Sequence, residues 1–343
     1  MFPAVSSHRL GFAVKVLGEG GLASHDTRRW QSEPHLRVSL EKLREILSYL
    51  DRNDLRMYRM ATALAPYASH PGLPRFHRQV EECAAELAAI GDLARELDIR
   101  LSSHPGQYTV LNSERPEVRD SAVAELEVQG ALFEGMGLGT DAVVVVHVGG
   151  KAGGGAAAMD RFLGGYELLS ERARRYVVIE NDDRSFCVAD AVALSGRCGV
   201  RVVWDILHHH CHNPSGLGDR EALELALGTW SEGEPPKIHL SSPRLDLEER
   251  KRKVGRRIER RLVLPQLRAH ADLVDPIGFE SFLREVEGVG DFDVMVEAKG
   301  KDLAVLRLRG QLRERGFGWE RGRLVSWAPR APRPPAPCRR AAP

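Results

Sequence analysis

Apolar, β-branched runs that stop on a metal-type ligand recur along this chain, and that repetition constrains its fold more than any other feature. In Val200-Arg201-Val202-Val203-Trp204-Asp205 the run closes on a carboxylate, and an imidazole, His208, follows three residues later. Such a run reads as a strand of a parallel sheet, buried on both faces. The same order returns where residues 99–103 lead into His104, 141–146 into His147, 176–179 into Glu180 and 293–296 into Glu297. Lys237-Ile238-His239-Leu240 is a shorter alternating strand, and residues 9–14 and 55–60 supply two more near the start.

Helical periodicity fills the intervals. Ser39 stands as an N-cap ahead of Leu40, Leu43, Ile46, Leu47 and Leu50, which share one face at a spacing near 3.6. Further helices are expected near residues 76–97, 116–136, 157–175, 188–197 and 219–230. Eight strands alternating with helices, without a long-period repeat, predict an α/β fold, the closed (β/α)8 TIM barrel. Polar residues at the ends of many different strands fit a barrel, whose chemistry lies at the carboxyl ends of its strands; an open sheet gathers its site at one switch point. A length of 343 residues suits one large domain, drawn here at residues 1–325, with residues 326–343, rich in Pro, Ala and Arg, as a disordered tail.

The formal net charge is +1, so any nucleic-acid surface must come from local clustering. One cluster stands out: Glu248-Glu249-Arg250-Lys251-Arg252-Lys253, continuing through Arg256 and Arg257 to Arg260 and Arg261. It reads as a solvated helix face or, from its place just before His270 at the expected site face, as a phosphate contact. The five cysteines form no C-x-x-C pair, which fits reduced thiols and a cytoplasmic protein. The start of the chain lacks the features of a signal peptide, and no segment approaches the roughly 18 apolar residues of a membrane span.

His104, His147, Glu180, Asp205, His208, His239 and Glu297 are the candidate ligands, with His270 outside the strand pattern. Imidazoles and carboxylates without a thiolate set suit a divalent ion such as Mn²⁺ or Zn²⁺. So many donors imply two or three ions sharing a bridging carboxylate. A lone histidine at a strand end is more often a satisfied polar residue than a ligand, but several strand ends of this type argue for a site. His209, His210 and His212 read as supporting or surface residues and Cys211 as packing. Lys237 opens an inward-facing strand, either paired with a carboxylate or neutral and able to take up CO₂ as a carbamate. Gln107-Tyr108, on the loop after His104, is either ordinary loop polarity or a wedge into stacked bases, and His70 carries the same ambiguity.

These residues, in this order, resemble the UV damage endonucleases. The motifs are Arg-Leu-Gly-Phe from Arg9, Met-Tyr-Arg-Met from Met57, His-Pro-Gly-Gln-Tyr-Thr-Val-Leu-Asn from His104 and Val-Val-Ile-Glu-Asn-Asp-Asp from Val177. Trp-Asp-Ile-Leu-His-His from Trp204, Lys-Ile-His-Leu-Ser from Lys237 and Glu-Ala-Lys-Gly-Lys-Asp from Glu297 complete the set, which spans residues 9–309. The resemblance implies a TIM barrel similar to the endonuclease IV type and a three-metal site associated with Mn²⁺. It assigns the ligands to His104, His147, Glu180, Asp205, His208, His239, His270 and Glu297, with Glu180, Lys237 and His239 as catalytic residues and Lys237 as the modified lysine.

It further places Gln107, Tyr108 and Phe12 against damaged DNA, and His70 joins them as a candidate DNA contact from its own loop position alone. The implied activity is ATP-independent incision immediately 5′ to cyclobutane pyrimidine dimers or (6-4) photoproducts, leaving a 3′-hydroxyl and a 5′-phosphate. The implied partner is double-stranded DNA carrying the lesion, acted on by a monomer without an obligate protein partner. Phe12 departs from the tyrosine common in the family, and Ala13-Val14-Lys15-Val16 lacks an asparagine that some members carry there. Two other readings compete: a sugar isomerase or epimerase on a similar metal-bearing barrel, and a non-catalytic damage-binding protein.

Overall fold

The computed structural model describes residues 6–255 and 257–325. The tail expected at residues 326–343 lies outside them. In chain order the first elements are β1 (Ser7–Ala13), α1 (Leu36–Arg52), β2 (Met57–Arg59), α2 (Gln79–Glu82), α3 (Ala84–Glu96), β3 (Arg100–Ser103), α4 (Pro116–Gly135) and β4 (Val143–His147). They are followed by α5 (Gly155–Glu167), α6 (Glu171–Tyr176), β5 (Val177–Glu180), α7 (Val188–Cys198), β6 (Arg201–Asp205), α8 (Ile206–Cys211), α9 (Asp219–Leu227) and β7 (Lys237–Leu240). The last part holds β8 (Glu248–Val254), β9 (Arg257–Val263), α10 (Pro276–Glu285), β10 (Asp293–Val296), α11 (Lys301–Glu314), β11 (Gly318–Glu320) and β12 (Arg323–Val325).

Strands β1 to β7 and β10 pair in parallel in that order, and β10 returns to β1 through Leu10↔Val294 and Phe12↔Val296. The sheet is therefore the closed eight-stranded parallel barrel expected from the alternation. β11 and β12 form an antiparallel extension at the start of β1.

Alternation along each strand sorts the barrel into two faces. Leu10, Phe12, Tyr58, Leu101, Val144, Val146, Ile179, Val202, Trp204, Ile238, Val294 and Val296 join the main core with helix residues such as Leu40, Leu43 and Leu308. The opposite parity points inward, where Val143, Val145, Val178 and Val203 pack with Trp230. Ala13, Met57 and Met295 pack together on the same inner side. Gly11 is part of this lining, because a Cβ there would lie 2.6 Å from the Met57 carbonyl oxygen. Continuing each inner row by two residues reaches His147, Glu180, Asp205, His239, Glu297 and Arg59. Strand parity thus delivers the polar set to one mouth of the barrel.

Several local expectations change. α1 begins at Leu36 and is capped by His35, whose ring accepts from Arg37 N; Ser39 lies inside the helix and accepts from Asp26 N at 2.9 Å. The helix expected at residues 76–97 is interrupted at Cys83, which ends α2 and begins α3. The one expected at residues 157–175 is two helices, with Ser170 capping α6. The basic cluster is neither a helix nor part of the barrel: β8 and β9 form a separate antiparallel hairpin. Among the described residues no helix is long and apolar enough to cross a membrane.

Candidate metal centre

Glu180 is the hub of the barrel mouth. Burial alone would keep a carboxyl protonated, so its partners decide its state. His104 Nε2 lies 2.9 Å from Oε2 and His239 Nδ1 2.9 Å from Oε1, while His208 Nδ1 and His147 Nε2 stand 3.4 and 3.8 Å away. Burial pushes its pKa up, but His239, His147 and the hydrogen bonds from His104 and His208 outweigh it and hold the carboxyl well below its usual range. One buried carboxylate thus sits within reach of imidazoles from four elements.

Asp205 ends β6 and caps α8, accepting from His208 N at 2.7 Å. The short helix turns the chain so that residues three apart face the same rim, which places His208 Nδ1 3.8 Å from Asp205 Oδ1. Asn181 fixes both neighbours: its side chain bonds Asp205 N and O at 2.8 and 3.0 Å, and its carbonyl lies 3.0 Å from His208 Nδ1. Burial pushes the Asp205 pKa up against the pull of His208, with Glu180 and Glu297 adding to the push. His208 is raised because Asp205, Glu180 and Glu297 overcome its desolvation. With Asp205 pushed up to about 8, the Glu180 carboxylate balances the His208 imidazolium, and a cation would be needed to hold Asp205 ionised as well.

Glu297, one residue past β10, reaches His239 Nδ1 at 3.1 Å and pairs with Arg59 from the end of β2. Arg59 and His239 counter the burial of Glu297 and hold it below the usual carboxylate range. His270 Nδ1 lies 2.8 Å from the Glu297 carbonyl and 3.7 Å from its Oε2, so it joins the same rim. Burial lowers His239 to about 4 and also lowers His147, leaving both rings neutral, the form that ligates a metal. Lys237 is fully buried and its Nζ bonds Ser102 Oγ at 3.1 Å. Burial, with Arg59 and Arg100 nearby, pulls it well below the usual lysine range. Among the described residues it has no carboxylate partner within 4.0 Å, so of the two expectations for this lysine the neutral amine fits better.

The residues fit a divalent cation. Three overlapping triads, His104–His239–Glu297, His104–His147–Glu180 and Glu180–Asp205–His208, each bring ligand atoms within 4.8 Å of one another. Asp205 Oδ2, His239 Nε2 and His147 Nδ1 are buried without a hydrogen-bond partner among the described residues. Each such atom costs about 1–3 kcal/mol unless something satisfies it, and a cation does so for oxygen and unprotonated nitrogen alike. The donor set, imidazole and carboxylate without thiolate, matches divalent ions of the Mn²⁺ or Zn²⁺ type.

A cavity of about 630 Å³ opens over the cluster, with His147 and His208 exposed to it and Gln107, Asp183, Gln266 and Arg268 on its walls. Tyr108, 82% exposed, stands beside Gln107 at the tip of the loop after β3. His70 is exposed on the loop after β2 and is not part of the cluster. His209, His210 and His212 bond Leu217 O, Asp219 and Ser185 O, outside the triads. Phe12 is a correction: it is wholly buried with its ring edge-on to Tyr58 at 5.5 Å, on the helix-facing parity of β1, and has no face for a base. Sequence reasoning also missed Arg59 and Asn181. Both stand in polar positions at strand ends, in Met-Tyr-Arg-Met and immediately after Glu180, and that placement was their signal.

The profile of the UV-endonuclease UvdE family matches residues 31–316. A UV DNA damage endonuclease of Bacillus mycoides (strain KBAB4) is 30% identical over 272 residues, covering 79% of this chain and 79% of the relative. One of Bacillus pumilus (strain SAFR-032) is 30% identical over 280 residues, covering 81% of each. The crystal structure of SacUVDE superposes with a TM-score of 0.75 at 30% identity, covering 90% of this chain and 98% of that one. The Escherichia coli 3-keto-D-glucoside 4-epimerase YcjR shares the fold alone, with a TM-score of 0.52 at 13% identity over 90% of this chain and 99% of its own.

Proposed function

This chain belongs to the UV-endonuclease UvdE family, and on that premise we propose that it incises duplex DNA immediately 5′ to ultraviolet photoproducts without ATP. Cyclobutane pyrimidine dimers and (6-4) photoproducts are the lesions, and a 3′-hydroxyl and a 5′-phosphate are the products. The observation that carries the reading is Glu180 within 4 Å of four imidazoles at a barrel mouth under an open cavity. His104, His147, Glu180, Asp205, His208, His239, His270 and Glu297 are the residues that would hold two or three Mn²⁺ ions. When bound, such ions supply a water of lowered pKa and neutralise the scissile phosphate and the leaving 3′-oxygen.

The chain's own contribution is orientation. Glu180 bridges two triads, Asn181 fixes Asp205 and His208, and Arg59 balances Glu297 so that its second oxygen is free to face the rim. His239, held neutral, presents a nitrogen to the site from the barrel interior. Lys237 is a neutral amine that can add CO₂, its nitrogen forming a bond to the carbon and releasing a proton, to become an anionic carbamate near the same cluster. Gln107 on the cavity wall and Tyr108 at the loop tip probe a duplex for the weakened stacking of a lesion. The working unit is a monomeric cytoplasmic domain of residues 1–325.

The test is incubation of ultraviolet-irradiated and unirradiated plasmid with the protein and Mn²⁺, with and without chelator, followed by end mapping on a lesion-bearing oligonucleotide. Damage-dependent nicking that chelator abolishes is expected. Equal nicking of both plasmids, or none, sinks the proposal, and damage-specific binding without nicking supports the binding-protein reading instead.

A further inference from the structure

The hairpin of β8 and β9 rises from the connection between β7 and His270, at the same end of the barrel as the candidate metal centre. Its base is tied by backbone pairing: Arg244 N donates to Ala269 O at 2.7 Å, Ala271 N donates to Ser242 O at 2.9 Å, and Pro243 bridges His270. Arg268 at the base reaches 3.3 Å from Asp183 on the cavity wall. Beyond the base the arm stands free of the barrel sheet, with its described residues exposed except for the partly covered Glu248 and Val263 at its foot. A seven-residue strand extends it by about 23 Å. Gly255, with φ of 62°, takes the left-handed backbone that the tight turn needs.

Residues 248–263 hold eight lysines and arginines against three glutamates, in a chain whose net charge is +1. The rest of the chain is therefore net acidic, and the positive charge is concentrated on this arm. Cross-strand register makes the concentration more pointed. Arg250 lies opposite Arg261 and Lys251 opposite Arg260, like charges facing on both sides of the ribbon. Such pairs destabilise a hairpin, and an isolated two-stranded hairpin is marginal to begin with. Internal relief is slight: Arg260 lies 3.4 Å from Glu249, and Arg250 and Lys251 each 3.9 Å from a glutamate. Arg252, Lys253, Arg257 and Arg261 have no carboxylate within 4.0 Å among the described residues. One cross-strand pair, Arg252 opposite Glu259, is of unlike charge, and the two like-charge pairs are left for a polyanion lying along the ribbon to relieve.

We propose that this arm is a sequence-independent clamp for the phosphate backbone of duplex DNA flanking the cut site, an inference that rests on the endonuclease reading. Arg250, Arg252, Arg257 and Arg261 share one face and supply the phosphate contacts. Between Asp246 and Leu264 the arm carries no Asn or Gln, the side chains that read adenine edges, so it grips without selecting sequence. Because its base is zipped to His270, a backbone held by the arm is delivered beside the metal centre.

The test uses the full chain and undamaged duplex, so that it reads the arm whether or not the protein cuts DNA. A variant combining Arg250→Ser, Arg252→Ser, Arg257→Ser and Arg261→Ser is compared with wild type by fluorescence anisotropy across a salt series. Binding is expected to weaken roughly 10- to 100-fold at low salt, with the slope of log K against log salt falling by about three to four. Glu259→Gln, which removes an anion from the same face, is expected to tighten binding several-fold. If the wild type nicks irradiated DNA, the quadruple variant raises KM on long lesion duplexes and leaves kcat in place. Unchanged affinity and slope in a variant with wild-type circular dichroism and melting overturns the clamp, as does a wild-type chain that prefers an acidic peptide to duplex. Absence of nicking by wild type, with the affinity loss intact, overturns the endonuclease reading alone.

Discussion

The two ends of the barrel both bury charge, and they resolve it in opposite ways. At the amino-terminal end Asp293 accepts from Arg9 N at 2.9 Å, from Arg9 Nη1 at 3.1 Å and from Arg100 Nη1 at 2.9 Å. Both carboxylate oxygens are engaged. Arg100, itself fully buried, also bonds Asp141 O at 2.7 Å, and Trp230 fills the space beneath the inner valines. At the carboxyl-terminal end Asp205 keeps a buried oxygen with no partner, and His239 and His147 each keep a nitrogen. At the first end the carboxylate is complete within the protein, and the buried atoms left without a partner are N–H donors, Arg9 Nε and Arg100 Nη2, which a cation would not satisfy. At the second end they are a carboxylate oxygen and imidazole nitrogens, which a cation would satisfy, and that difference in the kind of unpaired atom separates a structural ion cluster from a candidate site better than burial or charge count does.

The sharpest way to break the comparison is Glu180→Ala. If the upper cluster is built for chemistry, nicking of irradiated plasmid falls at least about 10²–10³-fold, because every triad but one loses its shared carboxylate. Metal-free folding stability, read by urea denaturation, should not fall comparably, since the substitution also removes a buried anion. Wild-type incision by the variant would refute the bridging role.

The converse change, Asp293→Asn, should leave the chemistry and weaken the fold. It strands the guanidiniums of Arg100 and Arg9, and breaking a buried ion pair from one side costs about 3–5 kcal/mol. Its pH dependence has a definite sign. Burial would raise the Asp293 pKa, but Arg100 and Arg9 hold it below the usual range. A depressed carboxyl contributes stability above its unfolded pKa, near 3.9, and loses it as pH falls through the folded value. The urea midpoint of wild type should therefore drop steeply below about pH 4, and that component should be missing from the variant. A variant within 1 kcal/mol of wild type at pH 7 would remove the contrast between the two ends.

A smaller effect sharpens the contrast from the other side. Mn²⁺ should raise the melting temperature of the metal-free protein, by about 2.7 kcal/mol of stability at a hundredfold excess over its Kd. Asp205→Asn should reduce that gain, whereas Asp293→Asn should keep it. Stabilisation that is equal in wild type and Asp205→Asn would place the ion elsewhere.

Much of this was legible in the sequence for a physical reason. Strands buried on both faces must be apolar throughout, so a run such as Val143 to Val146 announces itself, and a barrel gathers the residues that end such runs. Phe12 was misread because its chemistry was weighed without its parity: Leu10 and Phe12 share the helix-facing side, while Gly11 and Ala13 line the interior. The helix reading of the basic segment failed because charge carries no periodicity, and helix and hairpin both tolerate it. Glu248 to Val263 became a ribbon through the Gly255 turn, a signal smaller than the cluster around it. His270 joined the site by tertiary proximity to Glu297, which no local pattern records, whereas Arg59 had a signal in its place at the end of β2 that went unused.

The smallest effect belongs to Tyr108, and it tests whether lesion recognition is separable from either end of the barrel. At 82% exposure the ring contributes little to the core, so Tyr108→Ala should leave the urea midpoint within about 0.5 kcal/mol of wild type. It stands too far out on the loop after β3 to join any metal triad, so incision of a bound lesion should survive. What should fall is the ratio of irradiated to unirradiated plasmid nicked, because a stacked base contact is worth roughly 1–3 kcal/mol and only a disordered base step lets the ring in. Expressed as kcat/KM on paired lesion and control oligonucleotides, the loss should appear in the lesion substrate alone. Equal loss on both would make Tyr108 a general DNA contact like the arm, and no loss on either would move damage sensing to Gln107 and the cavity wall.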